Sequence, residues 1–479
     1  MKVLMFGWEF PPHITGGLGT ACYGLTKALS VYDDLQVIFV VPKAYGDEDK
    51  SVASFVNAED VAVDQLTIHE KHQFTKEKRF DTSTKVQQFI DQSLSEDALE
   101  KIKFIEIASL LQPYISPDEF EKQFTEKLEA EDTIKVKDDG TIVFIINGQE
   151  VEVHVPSLLR QSSENKVKFS FSGSYGYSLI TEVSNYALVA AELAKNEEFD
   201  IIHAHDWLTF PSGVAAKQMS GKKLVVHVHA TEFDRSGEHV NQVVYDIERY
   251  GIQNADLIIT VSNLTRETVI NKYGADPDKV IVVHNGVLPK EEVQHLYSKK
   301  VQEKVVTFLG RITFQKGPEY FIEAAYKVLQ KTQDVKFVMA GSGDLLYKMI
   351  KRAAELKIAD KFHFTNFLKG KDVDHMFSIS DVYVMPSVSE PFGISPLEAM
   401  RSNVPVIISK QSGVAEVLKH AIKVDFWDID AIADSIYGLI SYDGLSKMFR
   451  RLGKQEVENI KWDNAAGKIK ELYTNLLSN

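Results

Sequence analysis

Twice along this chain a short apolar run gives way to a turn and then to a segment with helical periodicity, and the cycle repeats. The first series is KVLMFGW, a glycine-rich turn, TACYGLTKALS and LQVIFVVP. It resumes after a long interruption with FDIIHAHD, KLVVHVHA, NADLIITVS and KVIVVHNG. The second runs from KVVTFLGR through EYFIEAAYKVLQK, VKFVMAGSG, LLYKMIKRAAEL, KFHFTNFL and DVYVMPS to VPVIISK. Most of these runs are continuously apolar, as expected of strands covered on both faces. Strands covered that way make parallel sheets joined by crossover helices. The pattern predicts an α/β chain with two doubly wound domains, and 479 residues are too many for one ordinary core.

The segment VLPKEEVQHLYSKKVQEK, residues 287 to 304, is polar and separates the two series as a linker. The expected division is an N-terminal domain over 1–290 and a C-terminal domain over 300–455. A terminal helix over 456–479, carrying WDNAAGKIKELYTNLL, would cross back and brace the first domain. The interruption, about 45–178, contains charge-rich helical stretches and then IKVKDDGTIVFIINGQEVEVHV. Asp139-Gly140 and Asn147-Gly148 divide alternating apolar runs there, a strong hairpin signal, so a small antiparallel meander is expected as an insert.

A formal net charge of −14 argues against a nucleic-acid partner, though a local basic cleft can still hold a small phosphate ligand. Cys22 is the only cysteine, which excludes an internal disulfide and a cysteine-based zinc site and points to a reducing, cytoplasmic compartment. MKVLMFGWEF reads as a buried first strand rather than a signal peptide, and no run approaches the length of a membrane span.

The chemistry concentrates after the strands. In SEPFGISPLEAM, Pro386 ends a strand, Glu390 sits in the following loop, and a helix starts near Ser395. Ser395-Pro396-Leu397-Glu398 matches a capping box, which would account for Glu398 structurally. Glu390 has no such explanation, and it lies where doubly wound sheets bind ligands. The Gly393 and Ile394 amides precede the same helix, a favourable place for phosphate. In LGRITFQKG, Arg311 and Lys316 follow a buried strand. Singly they read as a solvated turn; beside the Glu390 loop they read as cations able to offset charge on a departing diphosphate. PPHITGGLGTA puts Gly16, Gly17 and Gly19 before a helix, allowing close phosphate approach or simply a tight turn. HAHDW carries His203, His205 and Asp206; VVHVHATEFDRS carries His227, His229 and Glu232. His227 and His229 should share a sheet face. Satisfied structural histidines are the more ordinary explanation than a metal site, and His229, at its strand end, is the one expected to reach the cleft.

Together GGLG, HAHDW, HATEFDRSG, VHNGV, GRITFQKG, AGSGD and EPFGISPLEAM resemble a retaining glycosyltransferase of the two-Rossmann GT-B fold, in the broad family four with its glycogen and starch synthase relatives. The resemblance covers both series outside the insert. It implies two domains facing a cleft. Arg311 and Lys316 would neutralise the donor diphosphate, Glu390 would bond the donor sugar, and Glu398 the ribose. Gly393 and Ile394 would touch sugar or phosphate, Gly341 of AGSGD would line the nucleotide site, and Gly17 would reach the distal phosphate. His229 would lie beside the anomeric centre and Asp206 on the acceptor side. The substrates implied are a nucleotide diphosphate sugar, ADP-glucose or UDP-glucose, and a glycan such as an α-1,4-glucan, with no cofactor and no metal. Ile14-Thr15 stands where typical bacterial starch synthases carry Lys, and those enzymes commonly lack an acid at the position of Glu398; both differences pull toward family four at large and other acceptors, polysaccharide or lipid-linked. The rivals are an epimerase or phosphorylase on the same scaffold, a non-catalytic nucleotide-sugar binding protein, and, more remotely, a dinucleotide oxidoreductase.

Overall fold

The computed structural model describes residues 1–13, 16–64, 134–136, 141–146, 149–154, 160–162, 166–173, 175, 179–289, 302–368 and 370–478. Ile14, Thr15, most of the expected insert and the middle of the linker therefore lie outside the described residues. Two large parallel sheets carry the chain. The first has strands β1 (Lys2–Phe6), β2 (Gln36–Val41), β3 (Ser54–Asn57), β4 (Ile201–His205), β5 (Lys223–Val228), β6 (Leu257–Thr260) and β7 (Val280–Val282), in the order β7-β6-β5-β4-β1-β2-β3. The second has β8 (Lys304–Leu309), β9 (Val335–Ala340), β10 (Phe362–Thr365), β11 (Val382–Met385), β12 (Val406–Ser409) and β13 (Ile422–Val424), in the order β10-β9-β8-β11-β12-β13.

Helices in the first half are α1 (Gly17–Leu29), α2 (Leu179–Asn196), α3 (Phe210–Ser220), α4 (Glu232–Ser236), α5 (Gln242–Asn254) and α6 (Asn263–Tyr273). In the second half they are α7 (Pro318–Leu329), α8 (Leu346–Glu355), α9 (Lys371–Ile379), α10 (Ser395–Arg401), α11 (Val414–Val417), α12 (Ile429–Ser441) and α13 (Asp443–Val457), and α14 (Trp462–Ser478) ends the chain. Local chemistry starts several of them. The Asn241 side chain accepts from the Val243 and Val244 amides at α5, Ser262 accepts from Thr265 at α6, and Asp428 accepts from Ala431 at α12.

Each strand of the first sheet feeds two cores, because successive side chains point to opposite faces. Leu4 and Phe6 of β1 enter one core with Ile202, Ala204 and Tyr186, while Val3 and Met5 enter another with Ile201, Val225 and Cys22. That second core also contains Trp462, Ala466, Ile469 and Tyr473 of α14, so the last helix packs on the first sheet and on α1. The fit is close: a Cβ on Gly24 of α1 would stand 2.2 Å from Trp462 Nε1. No helix among the described residues is long and apolar enough to cross a membrane.

The insert departs from expectation at its start. Ser54–Asn57 pairs parallel with β2 and is the edge strand of the first sheet, so the sheet runs past residue 45 before the excursion begins. The short run SFVN carried too little apolar length to be read as a strand; its pairing with β2 supplies what its own sequence lacks. The strands flanking the two expected turns pair antiparallel, Ile134 opposite Phe144 and Ile146 opposite Gln149, with the turn residues themselves outside the described set. Val63–Asp64, Arg160–Ser162 and Lys166–Lys168 form a further small antiparallel sheet.

Candidate active site

In each large sheet the strand order reverses once beside the first strand, between β1 and β4 and between β8 and β11. Loops leaving the carboxyl ends of such a pair diverge to opposite faces and leave a crevice between them. Arg311 and Lys316 leave β8, and Glu390 leaves β11, so all three stand at the reversal of the second sheet. Backbone contact locks their loops together. The Ile312 amide donates to Ser342 O at 2.9 Å and the Val388 amide to Gln315 O at 2.9 Å. Two glycines make this approach possible. Gly341, at φ 142°, would place a Cβ 1.9 Å from Gly310 O, and Gly317, at φ 63°, would place one 2.1 Å from Pro386 O.

The Lys316 ammonium reaches the Glu390 carboxylate at 2.5 Å, with the two side chains 23% and 8% exposed. Ser387 Oγ donates to the same carboxylate oxygen at 3.3 Å. The Glu390 backbone is pinned as well, its amide donating to Gln411 O at 3.0 Å and its carbonyl accepting from the Gly413 amide at 2.9 Å. Arg311 lies partly buried in the same loop as Lys316. Gly393, at φ 97°, sits against Glu390 Cγ and the Met385 thioether.

The capping-box explanation of Glu398 is overturned. Ile394, with helical dihedrals, is the residue before α10, no side chain caps the helix, and the Glu398 amide donates to Ile394 O at 3.1 Å. Ser395 is inside the helix with its hydroxyl bonded to Tyr383, so it cannot serve the first turn. Burial pushes the Glu398 carboxyl above its ordinary range, opposed by Arg401 and reinforced by Asp374.

Across the cleft, α1 starts at Gly17 with extended Gly16 before it and no side-chain cap. A Cβ on either glycine would meet nothing within 4 Å, so this turn borders open space rather than packed protein. The Gly19 amide donates to Glu9 at 3.3 Å.

The four histidines share one face of the first sheet. Rings of His203 and His205 stack at 4.3 Å and those of His227 and His229 at 4.2 Å. Between the strands, His203 Nε2 meets His227 Nδ1 at 3.3 Å and His205 Nδ1 meets His229 Nε2 at 2.9 Å, while His203 Nδ1 bonds the Tyr473 hydroxyl of α14. Burial lowers the His203 and His229 pKa values to about 3, so both are neutral at ordinary pH. His203, His205 and His227, and likewise Cys22, His205 and His229, bring ligand atoms within 4.8 Å of one another, close enough to hold a metal ion, although ring–ring hydrogen bonds already engage much of the set. His229 lies one residue beyond β5, which ends at Val228, because its amide turns away from the ladder to donate to Asp206 Oδ1 at 2.6 Å. Asp206 also accepts from the Ala230 amide at 3.2 Å and takes a left-handed φ of 60°. Its first visible task is to clamp the backbone of His229. Burial raises its carboxyl to about 7, with Arg235 and the two amides opposing.

Sequence reading missed the residues that connect the halves. Helix α4 abuts the segment Phe314–Lys316, and Ser389 Oγ donates to Asp234 Oδ1 at 2.6 Å. The other Asp234 oxygen accepts from the Thr231 amide and hydroxyl at 2.7 and 2.8 Å, a capping box that T-E-F-D could have announced. Beneath it Arg235 pairs with Glu232 at 2.9 Å and with Glu248, which also bonds Tyr273; burial raises Glu248 to about 8 against the opposing pull of Arg235. A second bridge places Glu416 of α11 on the start of α6, accepting from the Asn263 and Leu264 amides at 2.9 Å each and meeting His284 at 2.9 Å.

Two sheets with facing carboxyl edges, one lined by histidines and one by an Arg, a Lys and acids, define a glycosyltransferase of the GT-B type. Residues 289–456 match the family described as glycosyl transferases group 1, and residues 147–291 match glycosyltransferase family 4. An uncharacterized glycosyltransferase of Methanocaldococcus jannaschii is 32% identical over 58% of this chain and 75% of its own length. The alpha-maltose-1-phosphate synthase of Mycolicibacterium smegmatis is 28% identical over 58% of this chain and 79% of its own. A UDP-Gal:alpha-D-GlcNAc-diphosphoundecaprenol alpha-1,3-galactosyltransferase of Escherichia coli is 26% identical over 60% and 78%. The sucrose-phosphate synthase structure from Thermosynechococcus elongatus superposes with a TM-score of 0.61 at 15% identity, covering 100% of this chain and 99% of that one. This chain belongs to the group 1 and family 4 glycosyltransferases and acts on sugar donors.

Proposed function

We propose that the chain is a retaining hexosyltransferase that moves glucose from a nucleotide diphosphate sugar to a glycan acceptor, in the manner of a glycogen or starch synthase. The observation that carries this reading is the Lys316–Glu390 pair at the reversal of the second sheet, in a loop whose Phe314–Lys316 segment abuts α4. Donor arrival would draw Lys316, with Arg311, onto the diphosphate and leave Glu390 to bond the sugar hydroxyls. Glu398 bonds the ribose, Gly341 lines the nucleotide site, and the Gly393 and Ile394 amides hold the sugar or its phosphate. Gly17 meets the distal phosphate from the other side. Neutral His229 lies beside the anomeric carbon, with Asp206 fixing its backbone on the acceptor side. The acceptor oxygen attacks on the face from which the diphosphate departs: the anomeric C–O(phosphate) bond breaks, the new glycosidic bond forms, and the acceptor proton leaves with the diphosphate. Fixed charge and positioning do the catalytic work, with no metal and no organic cofactor.

The glycan acceptor draws on the resemblance to glycogen and starch synthases; the maltose 1-phosphate named for the mycobacterial relative and the diphosphoundecaprenol named for the Escherichia coli relative support a sugar phosphate and a lipid-linked sugar as the other candidates. The test is to incubate the protein with a panel of nucleotide sugars, with and without glycogen and with and without EDTA, and to measure released nucleoside diphosphate and product anomer. Glycogen-dependent, chelator-resistant release with an α product is expected. Release that needs no acceptor and yields an epimerised nucleotide sugar, or binding without release, would remove the proposal.

A further inference from the structure

Glu390 itself is held by its own half of the molecule, through Lys316, Ser387, Gln411 and the Gly413 amide. The residues on either side of it are held by the other half. Ser389 Oγ donates to Asp234 Oδ1 of α4 at 2.6 Å, and Thr265 Oγ1 of α6 stands 3.5 Å from Pro391 O.

Asp234 makes the shorter of these contacts. It is 6% exposed, and both of its oxygens are engaged: Oδ1 by Ser389, Oδ2 by the Thr231 amide and hydroxyl. Hydrogen bonds to a carboxylate are roughly twice as strong as those between neutral groups. Thr231 follows His229 by two residues, and Asp206 pins the intervening backbone through the His229 and Ala230 amides. One carboxylate therefore joins the loop of Glu390 to the strand end of His229.

The helix that carries Asp234 is itself anchored. The Glu232 amide donates to Glu248 at 3.0 Å, and the Glu232 carboxylate accepts from Arg235 at 2.9 Å, Ser236 Oγ at 2.6 Å and the Asn241 amide at 3.1 Å. A group locked in this way can hold another to a productive geometry. The same helix abuts Phe314–Lys316, and Gln315 O in that segment accepts from the Val388 amide beside Ser389. The Glu416 bridge also joins the halves, but through α11 and α6 rather than through a residue next to Glu390.

We infer that Asp234 is a positioning residue for the transfer: through Ser389 it fixes where Glu390, and the donor sugar on it, stand relative to His229. The inference rests on the transferase reading and deepens it, since neither Asp234 nor Ser389 has a contact with donor or acceptor in that reading. Donor binding relies on Arg311, Lys316 and Glu398 within the second half and does not need the contact. The chemical step does, because small misplacements of reacting groups cost rate.

The experiment uses the full chain, the nucleotide-sugar panel, and glycogen, glucose 1-phosphate and a lipid-linked diphosphate sugar as acceptors. Ser389→Ala removes the contact and leaves the α4 capping box intact; Ser389→Thr keeps the hydroxyl; Glu416→Gln weakens the other bridge. Turnover, nucleoside diphosphate affinity by calorimetry and thermal unfolding are measured for each. Ser389→Ala should lower kcat about tenfold, the size of one hydrogen bond to a charged group, and leave affinity within about twofold. Its unfolding temperature should stay near wild type, and Ser389→Thr should recover most of the rate. Asp234→Ala combined with Ser389→Ala should be no slower than Asp234→Ala alone, because both remove the same bond. Wild-type kcat in Ser389→Ala, an equal loss of kcat in Glu416→Gln, or additive losses in the double variant overturns the inference and leaves the transferase standing. Absence of diphosphate release by the wild type from every nucleotide sugar overturns the transferase reading itself.

Discussion

The two cleft edges are built on the same topology and carry opposite chemistry. On the first sheet the reversal between β1 and β4 opens beside a stack of buried histidines, with His203 and His229 held neutral by burial and Asp206 raised to about 7. On the second, the reversal between β8 and β11 carries Arg311 and the close pair Lys316–Glu390. A neutral, hydrogen-bonded edge resists rearrangement because every ring is braced by the next. A charged edge with one partly exposed ammonium can exchange an internal partner for a ligand. The difference teaches that one half of this cleft supplies shape and the other supplies charge.

The most severe way to break that contrast is Lys316→Ala. We expect turnover to fall by at least ~100-fold, the scale of losing one preorganised charge contact, with the protein still folded. Steady-state kinetics check it; near-native rates would mean that the second edge does not act through its charge. Arg311→Ala should behave alike.

Glu398→Gln comes next. With no capping box to lose, its unfolding temperature should stay close to wild type, while nucleotide affinity drops about tenfold, as for loss of one hydrogen bond to a charged group. Calorimetric binding and thermal unfolding separate the two; early melting with unchanged affinity would restore a purely structural role.

The smallest effect concerns the pH dependence of stability, where the halves should differ in sign. Burial alone would raise Glu416, but hydrogen bonds from His284, the Asn263 amide and side chain, and the Leu264 amide outweigh it and hold the carboxyl at about 2. A depressed native pKa stabilises above the unfolded value of 4.5 and loses that contribution as pH falls toward 2. Asp206 is the reverse: raised to about 7 from 3.8, it favours the folded state fully at low pH and progressively less as pH rises through 7. Glu416→Gln should therefore lower stability by about 1 kcal/mol near neutrality and flatten the acid limb. Asp206→Asn should narrow the loss of stability between pH 4 and 7. Chemical denaturation across pH tests both, and parallel slopes in the two variants would contradict these assignments.

Much of this architecture was legible because parallel strands announce themselves. KVLMF, IIHAH, KLVVHV and VVTFL are mostly apolar runs buried on both faces, and only a helix-covered sheet satisfies such runs. Residues following the strands of one sheet have to stand along one edge, which is why the sequence groups Arg311, Lys316 and Glu390 there, and Lys316 and Glu390 do meet. His227 and His229 were assigned one face from the strand's period of two, and their stacked rings bear that out.

What remained depended on distances between segments far apart in the chain. SFVN becomes an edge strand only because β2 lies beside it. Ser395 lies inside α10 rather than before it, and its hydroxyl bonds Tyr383 of β11. Ser389 meets Asp234 across 155 positions, and Tyr473 reaches His203 across 270. Periodicity and turn chemistry act over a few residues, so the chain's own order settles which segments are strands and which loops carry reactive groups. Whether Lys316 faces Glu390 or water, and whether four histidines bind one another, are settled only when packing brings the two edges and the returning last helix to fixed distances.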